Sequence, residues 1–200
     1  MKDKIILKST DLFLNLGFKS VTMDDIANEM GISKKTIYQH FQNKTKLVEA
    51  TALHVFDNIS CGIDGICELE KNPIEEIYEI KKFVMHNLKD EKSSPQYQLQ
   101  KYYPKIYATL KTKQFEKMLG CVTQNLERGV AQGLYRDSIE IDFVARLYFN
   151  SMVSLKDQDI FPREKFPMLM LMNNYLEYHL RGICSKKGLE TLTQLHTNLN

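Results

Sequence analysis

A chain of 200 residues with 43% hydrophobic and 26% charged content is long enough for one full domain, or for a small and a medium one, and too apolar to be disordered. Its 27 basic and 25 acidic residues leave a formal charge of +2, so any partner of strong charge must be met by a local patch rather than by the whole surface. No apolar run approaches a membrane span, the richest being Met168–Met172, and the N-terminus turns polar by Lys8, too soon for a signal peptide; no membrane partner and a cytoplasmic location are expected.

In chain order, Ile5, Ile6, Ser9, Leu12, Phe13 and Leu16 recur at helical spacing and Gly17 supplies a stop, which predicts a first amphipathic helix of about four turns. A second helix begins at Thr22, a capping residue, with Asp24 and Asp25 at the positive end of the dipole and Ile26, Ala27 and Met30 on its inner face. The two aspartates read as capping residues, not catalytic ones. Gly31 ends this helix, and Ser33 caps a third, Lys34 to Phe41, after a short connection. Two short helices about a tight glycine turn form the helix-turn-helix pattern. Ile37 and Phe41 face inward, with Tyr38 at the edge. Lys34, Lys35, Thr36 and Gln39 form the outer face, and their side-chain types reach base edges or phosphates. From Gly31 to Lys46 there are lysines at 34, 35, 44 and 46 and no acid. A fourth helix starts near Asn43 or Lys44 and runs towards Cys61; Lys44 and Lys46 at its start oppose the dipole preference for acids, which a phosphate bound there would account for.

The run Phe13-x-x-x-Gly17-Phe18-x-x-Val21-Thr22-Met23-x-x-Ile26-Ala27, then Gly31-Ile32-Ser33-Lys34-Lys35-Thr36-Ile37-Tyr38-Gln39-His40-Phe41, Asn43-Lys44 and Leu47, resembles the TetR family of bacterial transcriptional regulators. The resemblance covers roughly residues 3 to 55, and its specificity lies in the combined spacing. It implies that the helix holding Thr36 to His40 enters the major groove, and that Thr22, Tyr38, His40 and Lys44 hold the phosphate backbone. Lys34, Lys35, Thr36 and Gln39 become candidates for base or nearby backbone contacts, with Ser33 and Lys46 beside them. Thr45 and Lys46 replace the acids that often follow the lysine, which strengthens backbone attraction. Without the motif, His40 would read as a solvated surface histidine and Lys34 and Lys35 as an ordinary charged face.

Beyond Cys61, Gly62-Ile63-Asp64-Gly65 is expected to bend or end the fourth helix. Pro73 opens another, with Ile77, Ile80, Val84 and Leu88 on one face. Lys89 to Pro95 is a polar connection, Tyr97 to Tyr103 a short helix broken at Pro104, and Pro104 to Val130 a long one. A turn-rich passage from Gly129 to Asp137 precedes helices at Ile141 to Leu155 and at 163 or 164 to Arg181, and Leu189 to Leu195 adds a short terminal one. No strand pattern competes with these periods. The expected architecture is all-α, with a helix-turn-helix domain over 1–50 and a helical dimerisation and effector-sensing domain over 51–200. Cys61, Cys67, Cys121 and Cys184 lack CxxC spacing and flanking histidines, so reduced thiols are expected, without a metal or a cofactor.

The helices at 141–155 and 164–181 carry large apolar residues on more than one face, and a two-fold four-helix interface would bury the second face. The resemblance implies the same dimer, a partner in double-stranded operator DNA, and a small-molecule pocket in the middle helices. Tyr78, Phe83, His86, Tyr103, Tyr107, Phe115 and Met118 are its candidate lining, suited to an apolar or aromatic effector; plain core packing competes with that reading. The function expected is a sequence-specific DNA-binding regulator, a repressor released by a small molecule. Two rivals stay open: a DNA-binding dimer whose second domain senses a protein or nothing, and an all-helical enzyme, for which no catalytic constellation is evident.

Overall fold

Helical periodicity carries through the chain as read. The computed structural model describes residues 1–88 and 95–199. Among these residues run ten helices: α1 (Lys2–Leu16), α2 (Met23–Met30), α3 (Lys34–Tyr38), α4 (Lys44–Cys67), α5 (Pro73–Leu88), α6 (Pro95–Tyr102), α7 (Pro104–Ala131), α8 (Ile141–Ser154), α9 (Met168–Ile183) and α10 (Lys186–Leu199). The one extended contact among them is an isolated antiparallel bridge between Tyr135 and Cys184. The fold is all-α. The predicted connection from Lys89 lies outside the described residues up to Pro95, which opens α6.

Several helix boundaries differ from the sequence reading. α4 does not stop at the Gly62–Gly65 segment but runs to Cys67. The ring of Phe83 occupies the space a Cβ on residue 62 would need, so Gly62 serves a close helix–helix approach and not a bend. α9 begins at Met168, not at 163 or 164, because Pro167 restricts the residue before it and holds the chain extended at that point. α10 starts earlier than expected, at Lys186, where the Ser185 hydroxyl accepts from the Gly188 N–H at 3.1 Å.

The helices group into two compact units, Met1–Cys61 with His86–Gln114, and Gly62–Met85 with Phe115–Asn200. In the first, Ile5, Phe13, Ile26, Ile37 and Leu47 are buried against one another. Each such side chain withdrawn from water contributes about 1.5–3 kcal/mol. α1 ends at Gly17, whose φ of 87° lies in the region that favours glycine, and the amide of Gln98 from α6 occupies the place of its missing Cβ. Gln98 also accepts from the Lys19 N–H at 3.2 Å. Leu99 of α6, and Ile106 and Leu110 of α7, complete this core, and Phe18 meets Phe13 at 5.1 Å and Tyr103 edge-on at 6.2 Å.

In the second unit, Ile74, Leu126, Tyr135, Leu176, Leu180 and Leu192 form one core, and Met152, Leu155 and Leu171 a second cluster. A polar network crosses the first of these. Glu76, 1% exposed, accepts from Asn125 Nδ2 at 2.8 Å and from the Arg128 guanidinium. Asn125 also donates to the Pro73 carbonyl at 2.9 Å and accepts from the Tyr135 hydroxyl at 3.0 Å. The N-terminus of α5, the body of α7 and the turn after it are thereby held together.

His179, 8% exposed, packs against Tyr148 at 5.1 Å and stacks on Tyr175 at 5.7 Å. Burial lowers its pKa from 6.5 to about 4. As pH falls below 6.5 the unfolded chain takes up a proton that the folded chain refuses until about pH 4, so stability declines across that window. The decline should total about 3 kcal/mol. Urea unfolding at about pH 7 and about pH 4.5 should show it in the parent and not in His179→Phe; identical pH dependence in the two proteins would contradict the assignment.

Candidate nucleic-acid interface

Local chemistry shapes the segment from Thr22 to Lys46. Thr22 and Asp25 form a reciprocal capping box, with the Thr22 N–H donating to Asp25 at 2.8 Å and the Asp25 N–H donating to the Thr22 hydroxyl at 3.2 Å. The Thr22 N–H and the Thr22 hydroxyl, each donating to the carboxylate at 2.8 Å, hold the Asp25 carboxyl below the usual carboxylate range. α2 closes on Gly31 at φ 63°, where the Ile32 N–H returns to the Ala27 carbonyl at 3.0 Å. Ser33 then caps α3, accepting from the Thr36 N–H at 3.1 Å and sharing a 2.8 Å hydrogen bond with the Thr36 hydroxyl. α3 is shorter than predicted: it ends at Tyr38, and Gln39 and His40 form the turn that follows.

Ile37 and Phe41 are buried and fix the rotation of that segment. Lys34, Lys35, Tyr38, Gln39 and His40 are consequently exposed, Thr36 is half-buried between its partners, and Thr22, Ser33 and Lys46 are exposed. Asn43 caps α4, its side-chain oxygen accepting from the Lys46 N–H at 2.9 Å. Lys44 is half-buried, and burial pushes its ammonium pKa down while the charge of Asp25 opposes that shift.

Two of the candidate lysines already have partners, which sequence reasoning missed. Lys34 reaches Asp24 at 2.7 Å across the turn, and Lys46 reaches Glu49 at 2.6 Å one helical turn away. The second pair is visible in principle as an i, i+3 spacing; the first depends on how α2 and α3 cross.

The candidate effector residues are divided between the two units. Tyr103 and Tyr107 pack on the core of the first unit, and His86 is exposed at the end of α5. In the second unit, Tyr78 lies beside the Ile74–Leu192 core under the Lys81 ammonium, 5.0 Å from its ring, and burial lifts its hydroxyl pKa to about 12. Phe83 lies on Gly62. Phe115 meets Phe149 edge-on at 5.0 Å, and Met118 packs on the Met152–Leu171 cluster. A cavity of about 250 Å³ in this unit is lined instead by Cys67, Glu70, Glu76, Cys121, Gln124, Glu127 and Arg128. Among the described residues no group of three or more His, Cys, Asp or Glu side chains could hold a metal ion, and no helix is long and apolar enough to cross a membrane.

Residues 5–51 match the family model described as "Bacterial regulatory proteins, tetR family". The "Biofilm operon icaADBC HTH-type negative transcriptional regulator IcaR" of Staphylococcus aureus is 38% identical over 60 residues, 30% of this chain and 32% of that protein. The "HTH-type transcriptional activator FasR" of Mycolicibacterium smegmatis is 31% identical over 62 residues, 31% of this chain and 28% of that one. The match thus spans about a third of the length of these curated relatives. A crystal structure of a TetR-family transcriptional regulator from Agrobacterium tumefaciens superposes with a TM-score of 0.72 over 92% of this chain and 97% of that one, at 18% identity, a likeness of fold.

Proposed function

We propose, from the premise that this chain is a member of the TetR family, that it acts as a two-fold dimer that binds operator DNA and represses transcription until a small molecule releases it. The observation that carries the DNA-binding reading is the orientation of α3: Ile37 and Phe41 anchor it inward and leave Lys34, Lys35, Tyr38, Gln39 and His40 in solvent. Lysines and helix N-termini at Thr22, Lys44 and Lys46 neutralise phosphates, while Lys34, Lys35, Thr36 and Gln39 discriminate among base pairs. Repression is the reading suggested by the relative of higher identity over the DNA-binding segment, a negative regulator, although an activator matches a similar length at lower identity.

The dimer reading is supported by α8 and α9. Phe143 is 64% exposed, Leu147 47%, Leu169 54% and Tyr178 79%. Phe143 and Leu147 lie one turn apart on α8, a spacing that aligns them as a stripe. A second copy applied about a two-fold axis would cover the α8 stripe and exposed apolar residues of α9 in a four-helix arrangement, and two-fold symmetry supplies the pair of recognition segments that successive major grooves about 34–36 Å apart require. The proposed apolar or aromatic effector would bind near Phe115 and Met118, which share α7 and lie against Phe149 and the Met152–Leu171 cluster respectively. It relieves repression only by binding one disposition of the two DNA-binding segments better than the other.

Sequencing the genomic fragments retained by purified protein tests the central reading, and enrichment of one inverted-repeat sequence is the expected result. Recovery of random fragments, or of a lone half-site, would count against it. Within such a complex, Lys44→Ala should weaken specific and random DNA alike and reduce the slope of log affinity against log salt by about one unit. Gln39→Ala should instead change the ranking of operator variants, and equal losses on all sequences for both substitutions would contradict this division of roles.

A further inference from the structure

Cys67 closes α4 and Cys121 lies within α7, and both side chains line the wall of the 250 Å³ cavity. Lys117, one turn before Cys121, pairs with Asp64, one turn before Cys67, so the same two helices are already joined beside the thiols. The chain after Cys67 leaves the helix through a turn in which Glu70 adopts φ 47°, so the last turn of α4 is not held by further helix. Neither thiol is needed for DNA reading, and neither packs into one of the hydrophobic cores.

We propose that Cys67 and Cys121 form a dithiol modification site, at which a small cationic or neutral disulfide is reduced and an intramolecular Cys67–Cys121 disulfide is made. The cavity admits the reagent to both sulfurs. Its charge selects the class: Arg128 is committed to Glu76, and Glu70 and Glu127 remain as exposed acids at the cavity wall, which disfavours an anionic reagent.

The reaction is two successive exchanges. The Cys121 sulfur, as thiolate, attacks one sulfur of the reagent R–S–S–R, forming a mixed disulfide and expelling RS⁻, which takes up the proton Cys121 lost. The Cys67 thiolate then attacks the Cys121 sulfur and expels the second RS⁻, which becomes RSH. One S–S bond breaks and one forms, and two electrons pass from the protein thiols to the reagent. Cys121 goes first because the Lys117 charge offsets part of its burial, whereas burial pushes the Cys67 thiol up to about 12. Thiols so poorly ionised react slowly, and for the same reason they are poor leaving groups, so the closed disulfide resists re-reduction. A divalent metal is the poorer occupant, because it requires both thiols to ionise and a further ligand group that the described residues lack.

The test uses full-length protein carrying Cys61→Ser, which removes the exposed thiol, treated with cystamine or with oxidised glutathione and mapped by mass spectrometry without reduction. Cystamine should yield a Cys67–Cys121 disulfide at least about tenfold faster than the anionic reagent. Cys67→Ser should stop at a mixed disulfide on Cys121, and Cys121→Ser should leave Cys67 largely unmodified. Mixed disulfides alone in the parent, a bond to Cys184, or faster reaction with oxidised glutathione would overturn the proposal. The parent map decides even if either serine variant fails to fold.

Discussion

Glu76→Ala should lower the unfolding free energy by about 3–5 kcal/mol, the range for breaking a buried ion pair from one side. The carboxylate is 1% exposed while Arg128 keeps 27% of its side chain in contact with solvent, so the acid has the less favourable alternative and depends wholly on its partners. Removing it takes an acceptor from two donors and loosens the partner of a third. The Arg128 guanidinium loses its counter-charge, Asn125 loses one of its two acceptors, and the Tyr135 hydroxyl is left bonded to an amide that is no longer held in place. Glu76→Gln keeps the shape and one acceptor oxygen and should cost less, about 1–3 kcal/mol. Urea unfolding followed by circular dichroism measures both. A loss below about 1 kcal/mol for the alanine variant would show that water enters and replaces the carboxylate.

The second large effect is expected at the exposed apolar residues of α8 and α9. Phe143→Asp combined with Tyr178→Asp should convert the dimer to a monomer by light scattering and reduce operator affinity by about 10²–10⁴-fold, the factor normally contributed when a second binding event becomes intramolecular. Both residues are among the most exposed large side chains of the chain, so their replacement disturbs no interior packing. Loss of dimerisation should leave the melting of an isolated subunit nearly unchanged, whereas the Glu76 variant should melt early whatever its oligomeric state. A doubly substituted protein that stayed dimeric and bound operator normally would place the subunit interface elsewhere.

How much of this could be read from the amino-acid order depends on distance along the chain. The Thr22–Asp25 capping box, the left-handed Gly31, the Ser33 cap and the inward turn of Ile37 all involve residues within a few positions of one another, and each was legible from spacing. The all-α architecture followed from periodicity for the same reason. What escaped depends on residues far apart. Gly62 reads as a helix breaker until Phe83 is seen lying on it, and nothing local ties Gln98 to Gly17 or Glu76 to Arg128. The aromatic residues chosen as effector candidates were identified by type, and type does not tell which core a tyrosine joins: Tyr103 and Tyr107 pack with Phe18 and its neighbours in the first unit, while Met118 belongs to a cluster in the second.

The carboxylates that meet Lys34 and Lys46 give the proposed DNA-reading surface a built-in competitor. A phosphate approaching either ammonium displaces Asp24 or Glu49 instead of filling an empty place, and the displaced acid then stands near the incoming strand as a like charge. Attraction to arbitrary duplex is thereby muted, and a sequence must offer favourable base contacts before the exchange becomes worthwhile. Such self-masking would shorten the time spent on unrelated stretches of a chromosome during the search for an operator. It would also make Asp24→Asn a protein that grips DNA harder and tells sequences apart less well.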